Sequence, residues 1–339
     1  MSAPAPKAPL AVSSGDPAGI GPEIIGKAWE SHIRNNLPVF FAVGDANSFA
    51  RHWGGPIDRI DNPDQAGRRF RYALPVFHVH ECASIVPGSP DADGAHCALQ
   101  ALEIATGFAR SGTASGLVTG PVSKAQLYGI GFTYPGQTEF VAERCGIERG
   151  NAIMMLAGPD LRVVPMTTHI PLNEVRNKLD CRLVKQRIIA TAKGLQRDFA
   201  IEKPRLAIAG YNPHAGENGN IGREEIDLFG PIISELRAEG YDIIGPLPAD
   251  TMFHKEARMQ YDAALCAYHD QALIPLKTLY FHEAVNTTLG LPIIRTSPDH
   301  GTAFAIAGQN KARPDSMIAA IKMAAESARN RESFAALTE

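Results

Sequence analysis

Short apolar runs alternate with stretches of helical periodicity along the whole chain, a pattern that predicts an α/β fold. Runs at 10–13, 39–43, 116–118, 152–156, 161–166, 205–209 and 263–268 read as strands. Apolar positions spaced three and four apart predict helices over 22–32, 94–110, 138–145, 183–199, 224–239 and 314–330. In the first helix Ile24, Ile25, Ala28 and Trp29 share one face. Pro22 suits its first turn, where a missing N–H costs nothing. The turn Gly158-Pro159-Asp160 joins two strand runs into an expected antiparallel hairpin, so some antiparallel pairing is anticipated.

A length of 339 residues suggests about two domains, enough to bury a core without covalent staples. The 31 Gly and 25 Pro exceed the usual share of roughly 12% and imply many shaped loops. A net charge of −3 leaves no basic footprint for nucleic acid and no polybasic membrane patch. No apolar run reaches the roughly 18 residues of a membrane span, and Met1 to Leu10 lacks a signal-peptide core. Cys82, Cys97, Cys145, Cys181 and Cys266 are widely spread with no C-x-x-C pair, so reduced, mostly buried thiols in a cytoplasmic protein are expected.

One pattern recurs. Three times a strand run ends and a histidine follows just beyond it: Val163-Val164-Pro165-Met166-Thr167-Thr168-His169, Ile208-Ala209-Gly210-Tyr211-Asn212-Pro213-His214, and Leu265-Cys266-Ala267-Tyr268-His269-Asp270-Gln271. Ligand sites of α/β sheets gather beyond the carboxyl ends of strands, and three imidazoles there are able to hold one divalent metal. A single such histidine is ordinarily a hydrogen-bonded loop residue, so both readings stand at this point. His78 and His80 read as part of an edge strand.

The loop Ser14-Gly15-Asp16-Pro17-Ala18-Gly19-Ile20-Gly21-Pro22-Glu23 is not G-x-G-x-x-G, and the segment from Gly116 to Lys124 is not a Walker loop. Lys124, Thr138, Lys277 and Arg295 stand in Gly/Pro-rich turns as candidate anion binders, Thr138 at the start of a helix. Asp250, in Gly245-Pro246-Leu247-Pro248-Ala249-Asp250-Thr251, reads by default as a helix N-cap, with support of a metal ligand as the alternative.

These loops, with Asn286-Thr287-Thr288-Leu289-Gly290-Leu291-Pro292-Ile293-Ile294-Arg295-Thr296-Ser297-Pro298-Asp299-His300-Gly301-Thr302-Ala303, resemble the 4-hydroxythreonine-4-phosphate dehydrogenase family of vitamin B6 biosynthesis. The resemblance spans nearly the whole chain. It implies two α/β/α domains with mixed sheets, isocitrate/isopropylmalate dehydrogenase-like, with an active cleft between them. The domains are expected at 1–125 with 300–339, and at 126–299, the second carrying metal ligands and dimer contacts. It also implies a homodimer with a shared active site.

On that resemblance His169, His214 and His269 match metal ligands, and Gln137, Thr138, Lys277, Asn286 and Arg295 match substrate-binding positions. Asp250 and Asp270 are candidates to orient ligands or relay a proton. Asp16, Asp299, His300 and Gly301 are cofactor candidates, because the segment from Asp299 resembles the adenosine-side loop of decarboxylating dehydrogenases. The implied reaction is oxidation of 4-(phosphooxy)-threonine by NAD or NADP with a divalent metal (zinc, magnesium or cobalt). The resulting 2-amino-3-oxo acid then loses carbon dioxide.

Where the family commonly has histidine in Gly-His-Thr-Glu, this chain has Gln137, which hydrogen-bonds but carries no proton at neutral pH. Relatives acting on 4-phospho-threonate, 4-phospho-erythronate or cis-dihydrodiols share the scaffold. A three-histidine metallohydrolase and a non-enzymatic metal- or phosphate-binding regulator are the rival classes.

Overall fold

The computed structural model describes residues 7–79, 82 and 85–338. Among the described residues twelve strands are formed: β1 Leu10–Ser13, β2 Phe40–Gly44, β3 Ile57–Ile60, β4 Leu74–His78, β5 Leu117–Thr119, β6 Ile153–Ala157, β7 Arg162–Pro165, β8 Arg205–Ala209, β9 Asp242–Leu247, β10 Ala263–Cys266, β11 Val285–Leu289 and β12 Arg295–Pro298. The chain divides into two compact units, residues 7–149 with 291–333, and Gly150–Gly290 with the last residues of the chain. The helices Lys124–Gly129 and Gln137–Arg144 belong to the first unit, whereas the expected boundary at 125/126 cuts the former and puts the latter in the second domain. Arg144 shows why: its Nε donates to both oxygens of Glu103, on the long helix Ala92–Ser111 of the first unit.

In the first unit the strands run β3-β4-β2-β1-β5-β12, every pairing parallel. Strands buried on both faces read as continuous apolar runs, as in Phe40-Phe41-Ala42-Val43. Successive side chains point to opposite faces. Phe41 accordingly packs edge-on against Phe108 of the helix Ala92–Ser111, while Phe40 meets Phe70. The helix Gly21–Glu30 buries Ile24, Ile25, Ala28 and Trp29, the face expected from their spacing. β4 lies between β3 and β2, so the edge-strand reading of His78 is corrected: β3 is the edge. His80 lies outside the described residues.

In the second unit the order is β11-β6-β7-β10-β8-β9. β6 pairs antiparallel with both β7 and β11, and the expected hairpin closes through Gly158 N–H donating to Leu161 O at 2.8 Å. The rest of this sheet is parallel. The alternation along β10 sends Ala263 and Leu265 to a core with Ile188, Leu195, Ile232 and Leu236 of the helices Cys181–Phe199 and Gly230–Ala238. It sends Ala264 and Cys266 to the opposite core, with Ala272, Leu273 and Leu276 of the helix His269–Tyr280. Each face is covered, which is the α/β/α arrangement.

The helix expected over 224–239 forms over 224–238, with an irregular first turn. A single π-type turn, Glu225–Phe229, precedes the α-helix Gly230–Ala238. Pro231 has no N–H to continue the ladder and sits at the new helix start.

Candidate functional site

The second unit delivers the three histidines. β7, β10 and β8 are consecutive parallel neighbours, so the segments carrying His169, His269 and His214 leave the sheet at the same rim. The His169 and His269 rings stand 5.5 Å apart between centroids, tilted by 44°. Among the described residues no group of three or more His, Cys, Asp and Glu side chains is gathered as a metal centre.

The backbone at two of these histidines is unusual. His169 has φ +52°, and His214 opens a left-handed run with Ala215, Gly216, Glu217 and Asn218 at φ between +43° and +81°. Left-handed backbone costs about 1–2 kcal/mol per non-glycine residue, so surrounding contacts must hold it. Thr167 Oγ1 donates to Ala267 O at 2.7 Å and fastens the His169 loop to the end of β10. Gln271 Oε1 accepts from Ala267 N, and its Nε2 donates to Gly210 O, each at 2.8 Å, which fastens β10 to the end of β8.

Asp270 Oδ1 lies 2.7 Å from His269 Nδ1. A carboxylate only accepts, so Nδ1 carries a proton, which leaves Nε2 as the ring nitrogen available to a metal. In kind the donors suit a divalent cation: three imidazoles, one oriented by a carboxylate, with His169 and His214 exposed on the rim. Asp250 is exposed in the turn after β9, and the helix Lys255–Arg258 begins at His254, so the N-cap reading of Asp250 is corrected. Thr251 N–H closes that turn by donating to Pro248 O.

Lys277 is half-buried on the helix His269–Tyr280. Pro275 inside that helix hid it from the periodicity. Asn286 sits on β11, and its Oδ1 is buried with no hydrogen-bond partner among the described residues.

The first unit holds the other candidates. Arg295, 4% exposed, begins β12. Its Nη2 donates to Thr119 Oγ1 at 2.8 Å and its Nη1 to Thr138 Oγ1 at 3.2 Å. Burial pushes its guanidinium down to about 10 against the opposing field of Glu139, and it remains a cation at neutral pH. Gln137 and Thr138 open the helix Gln137–Arg144. Gln137 Nε2 donates to Gly120 O at 3.2 Å, which turns its Oε1 away, buried and without a partner among the described residues.

Elsewhere in the first unit, Ile20 N–H donates to Thr302 O at 3.0 Å, joining the Gly15–Gly21 loop to the Asp299–Ala303 segment. A Cβ at Gly19 would stand 2.9 Å from Thr302 O, so glycine permits that approach. The structure thus brings Asp16 and the segment of Asp299, His300 and Gly301 into adjoining loops. Asp16 is buried and accepts from Ala18 N–H at 3.0 Å. Desolvation pushes its carboxyl up to about 6 against the Ala18 hydrogen bond, with Asp91 adding to the rise.

The family model for Pyridoxal phosphate biosynthetic protein PdxA matches residues 37–324. The chain belongs to this family. A 4-hydroxythreonine-4-phosphate dehydrogenase of Zymomonas mobilis is 55% identical over 327 residues, covering 96% of this chain and 98% of that one. The crystal structure of a 4-hydroxythreonine-4-phosphate dehydrogenase from Klebsiella pneumoniae superposes with a TM-score of 0.84 at 35% identity, covering 97% and 99% of the two chains. A terephthalate 1,2-cis-dihydrodiol dehydrogenase from Burkholderia xenovorans is more distant, with a TM-score of 0.65 at 29% identity over 94% of this chain and 98% of that one.

Sequence reasoning missed Thr167, Gln271 and Glu225, which fasten the loops of this PdxA-family chain. The first two flank a histidine within two residues, a usable signal. Glu225 lies eleven residues beyond His214 and gives none.

Proposed function

We propose that the protein oxidises the secondary alcohol of 4-(phosphooxy)-threonine with NAD or NADP and a divalent metal. The product, a 2-amino-3-oxo acid, decarboxylates to 3-amino-2-oxopropyl phosphate in pyridoxal 5'-phosphate biosynthesis. The observation that carries this reading is the delivery of His169, His269 and His214 to one rim by three adjacent parallel strands, in a chain of the PdxA family.

When bound, the metal supplies Lewis-acid charge at the reacting oxygen and the nicotinamide supplies a hydride acceptor. His169, His214 and His269 would hold the cation, with Asp270 fixing the His269 tautomer. Imidazole donors suit zinc or cobalt better than magnesium. Asp16, Asp299, His300 and Gly301 would bind the cofactor. Arg295, braced by two hydroxyls, and Lys277 would bind the substrate's phosphate and carboxylate. The buried acceptors Gln137 Oε1 and Asn286 Oδ1 would take hydrogen bonds from its ammonium and hydroxyl groups.

A homodimer sharing the active site fits the exposed apolar side chains Leu172, Ile274 and Phe281 of the second unit. Five free thiols fit a cytoplasmic setting.

A second reading, oxidation of 4-phospho-threonate, 4-phospho-erythronate or a cis-dihydrodiol on the same scaffold, draws on Gln137 and on the Burkholderia relative. A substrate panel with each cofactor, followed by absorbance near 340 nm and carbon dioxide release, separates the two. Turnover of phosphothreonate without turnover of 4-(phosphooxy)-threonine moves the assignment to the second.

A further inference from the structure

We propose that Glu225 is a positioning residue for His214: its buried carboxylate locks Asn212 and so holds the left-handed turn that presents the imidazole. Glu225 is 6% exposed and begins the π-type turn Glu225–Phe229. Its Oε1 accepts from Asn212 N at 2.8 Å, and its Oε2 accepts from Asn212 Nδ2 at 2.9 Å. Both donors of one residue therefore meet both oxygens of one carboxylate, which fixes the backbone and side chain of Asn212 together. Glu224 Oε2 takes a second bond from Asn212 Nδ2 at 2.7 Å, while Glu224 Oε1 accepts from Arg176 Nε.

Asn212 then starts the strained segment. Its carbonyl accepts from Ala215 N at 3.1 Å, and Gly216 O accepts from Ile221 N at 3.1 Å. Four non-glycine residues of this run, His214, Ala215, Glu217 and Asn218, hold left-handed backbone. Such a cost persists only where the surroundings over-determine it.

Glycines shape the seat of the carboxylate. A Cβ at Gly216 would stand 2.7 Å from Glu225 Oε2, and one at Gly210 3.3 Å from Oε1. A Cβ at Gly222 would strike the Asn212 side chain. Three close approaches around one carboxylate and its partner mark a built clamp rather than a surface contact.

The inference rests on the reading of His214 as a metal ligand, because a clamp of this kind acts by setting where the imidazole points. Partners of that kind typically change metal affinity 10–100-fold when removed. Glu225→Gln keeps shape and volume but replaces one acceptor by an NH2 that faces the Asn212 amide.

The test titrates the full-length protein with Co²⁺, reading the visible absorption band and the affinity for wild type, Glu225→Gln and His214→Ala. Circular dichroism reports folding. The expected result is a folded Glu225→Gln protein with a Co²⁺ affinity lowered about 10–100-fold and an altered band. Wild-type affinity and band in Glu225→Gln, with binding weakened in His214→Ala, overturns the clamp and leaves the metal reading standing. Unchanged Co²⁺ binding in His214→Ala overturns the metal reading itself, and the clamp with it. If Glu225→Gln does not fold, Asn212→Ala decides, since it removes one arm of the clamp and no imidazole. A loss of about tenfold supports the proposal and unchanged affinity overturns it.

Discussion

Arg295 donates to the hydroxyl of Thr119 at 2.8 Å, so a buried cation is braced by a neutral neighbour at the end of the adjacent strand β5. Neutral partners hold a guanidinium in place without cancelling its charge. Hydrogen bonds to charged groups are worth about 1.5–3 kcal/mol, which corresponds to roughly 10–100-fold in binding. Arg295→Lys keeps the charge but loses the planar fork. Its expected effect is a KM for the phosphorylated substrate raised about 10–100-fold, with the melting temperature as the control for folding. A KM within twofold of wild type would remove Arg295 from substrate binding.

Asp16 is expected to set a pH-dependent stability cost. Its carboxyl is pushed from 3.8 up to about 6, chiefly by desolvation. Between those values the unfolded chain has lost the proton that the folded chain retains, so this contribution to stability falls as pH rises and is constant above about 6. The full cost is on the order of 3 kcal/mol. Asp16→Asn keeps an oxygen for Ala18 N–H and removes the charge. Thermal melts should show the variant more stable than wild type above about pH 7, with the gain shrinking towards pH 4. A gain of equal size at both ends would mean that ionisation is not its origin.

Gln137 should leave one limb out of the pH profile. An amide does not titrate, so Gln137→His introduces an ionisation near about 6.5 at a position that contacts Gly120 O. kcat/KM against pH for the variant is expected to show an added bend in that region relative to the wild-type curve. Two superimposable profiles would show that residue 137 does not touch the reacting complex.

Asp270 should matter through His269. Asp270→Asn removes the charge facing Nδ1, and metal affinity is expected to fall about 10–100-fold without loss of folding. Calorimetric titration with Zn²⁺ measures it directly, and an unchanged dissociation constant would leave the Asp270 contact without a role in the site.

Much of this layout was legible in the sequence, and the rest was hidden for identifiable reasons. β1 and β8 were read to the residue because they are apolar runs bounded by turn signals. β11 and β12, Val-Asn-Thr-Thr-Leu and Arg-Thr-Ser-Pro, escaped because they are polar yet buried, with Thr287, Thr288, Arg295 and Thr296 all at 4% exposure or less. These polar strands carry Asn286 and Arg295, so their departure from the apolar pattern coincides with candidate chemistry. The helix His269–Tyr280 was hidden by Pro275. The spacing of 45 and 55 residues between the histidines said nothing about their neighbours, and the strand order β7-β10-β8 did. The Asn212–Glu225 clamp needed the folded chain, since no local pattern joins a loop asparagine to a glutamate thirteen residues on.

The most direct measurement is absorbance near 340 nm when the purified protein meets 4-(phosphooxy)-threonine, NAD or NADP, and Zn²⁺ or Co²⁺. The expected result is a rise that depends on metal and on substrate, accompanied by carbon dioxide release, and nearly abolished in His169→Ala. No rise with either cofactor in folded, metal-loaded protein, or an undiminished rise in His169→Ala, would contradict it.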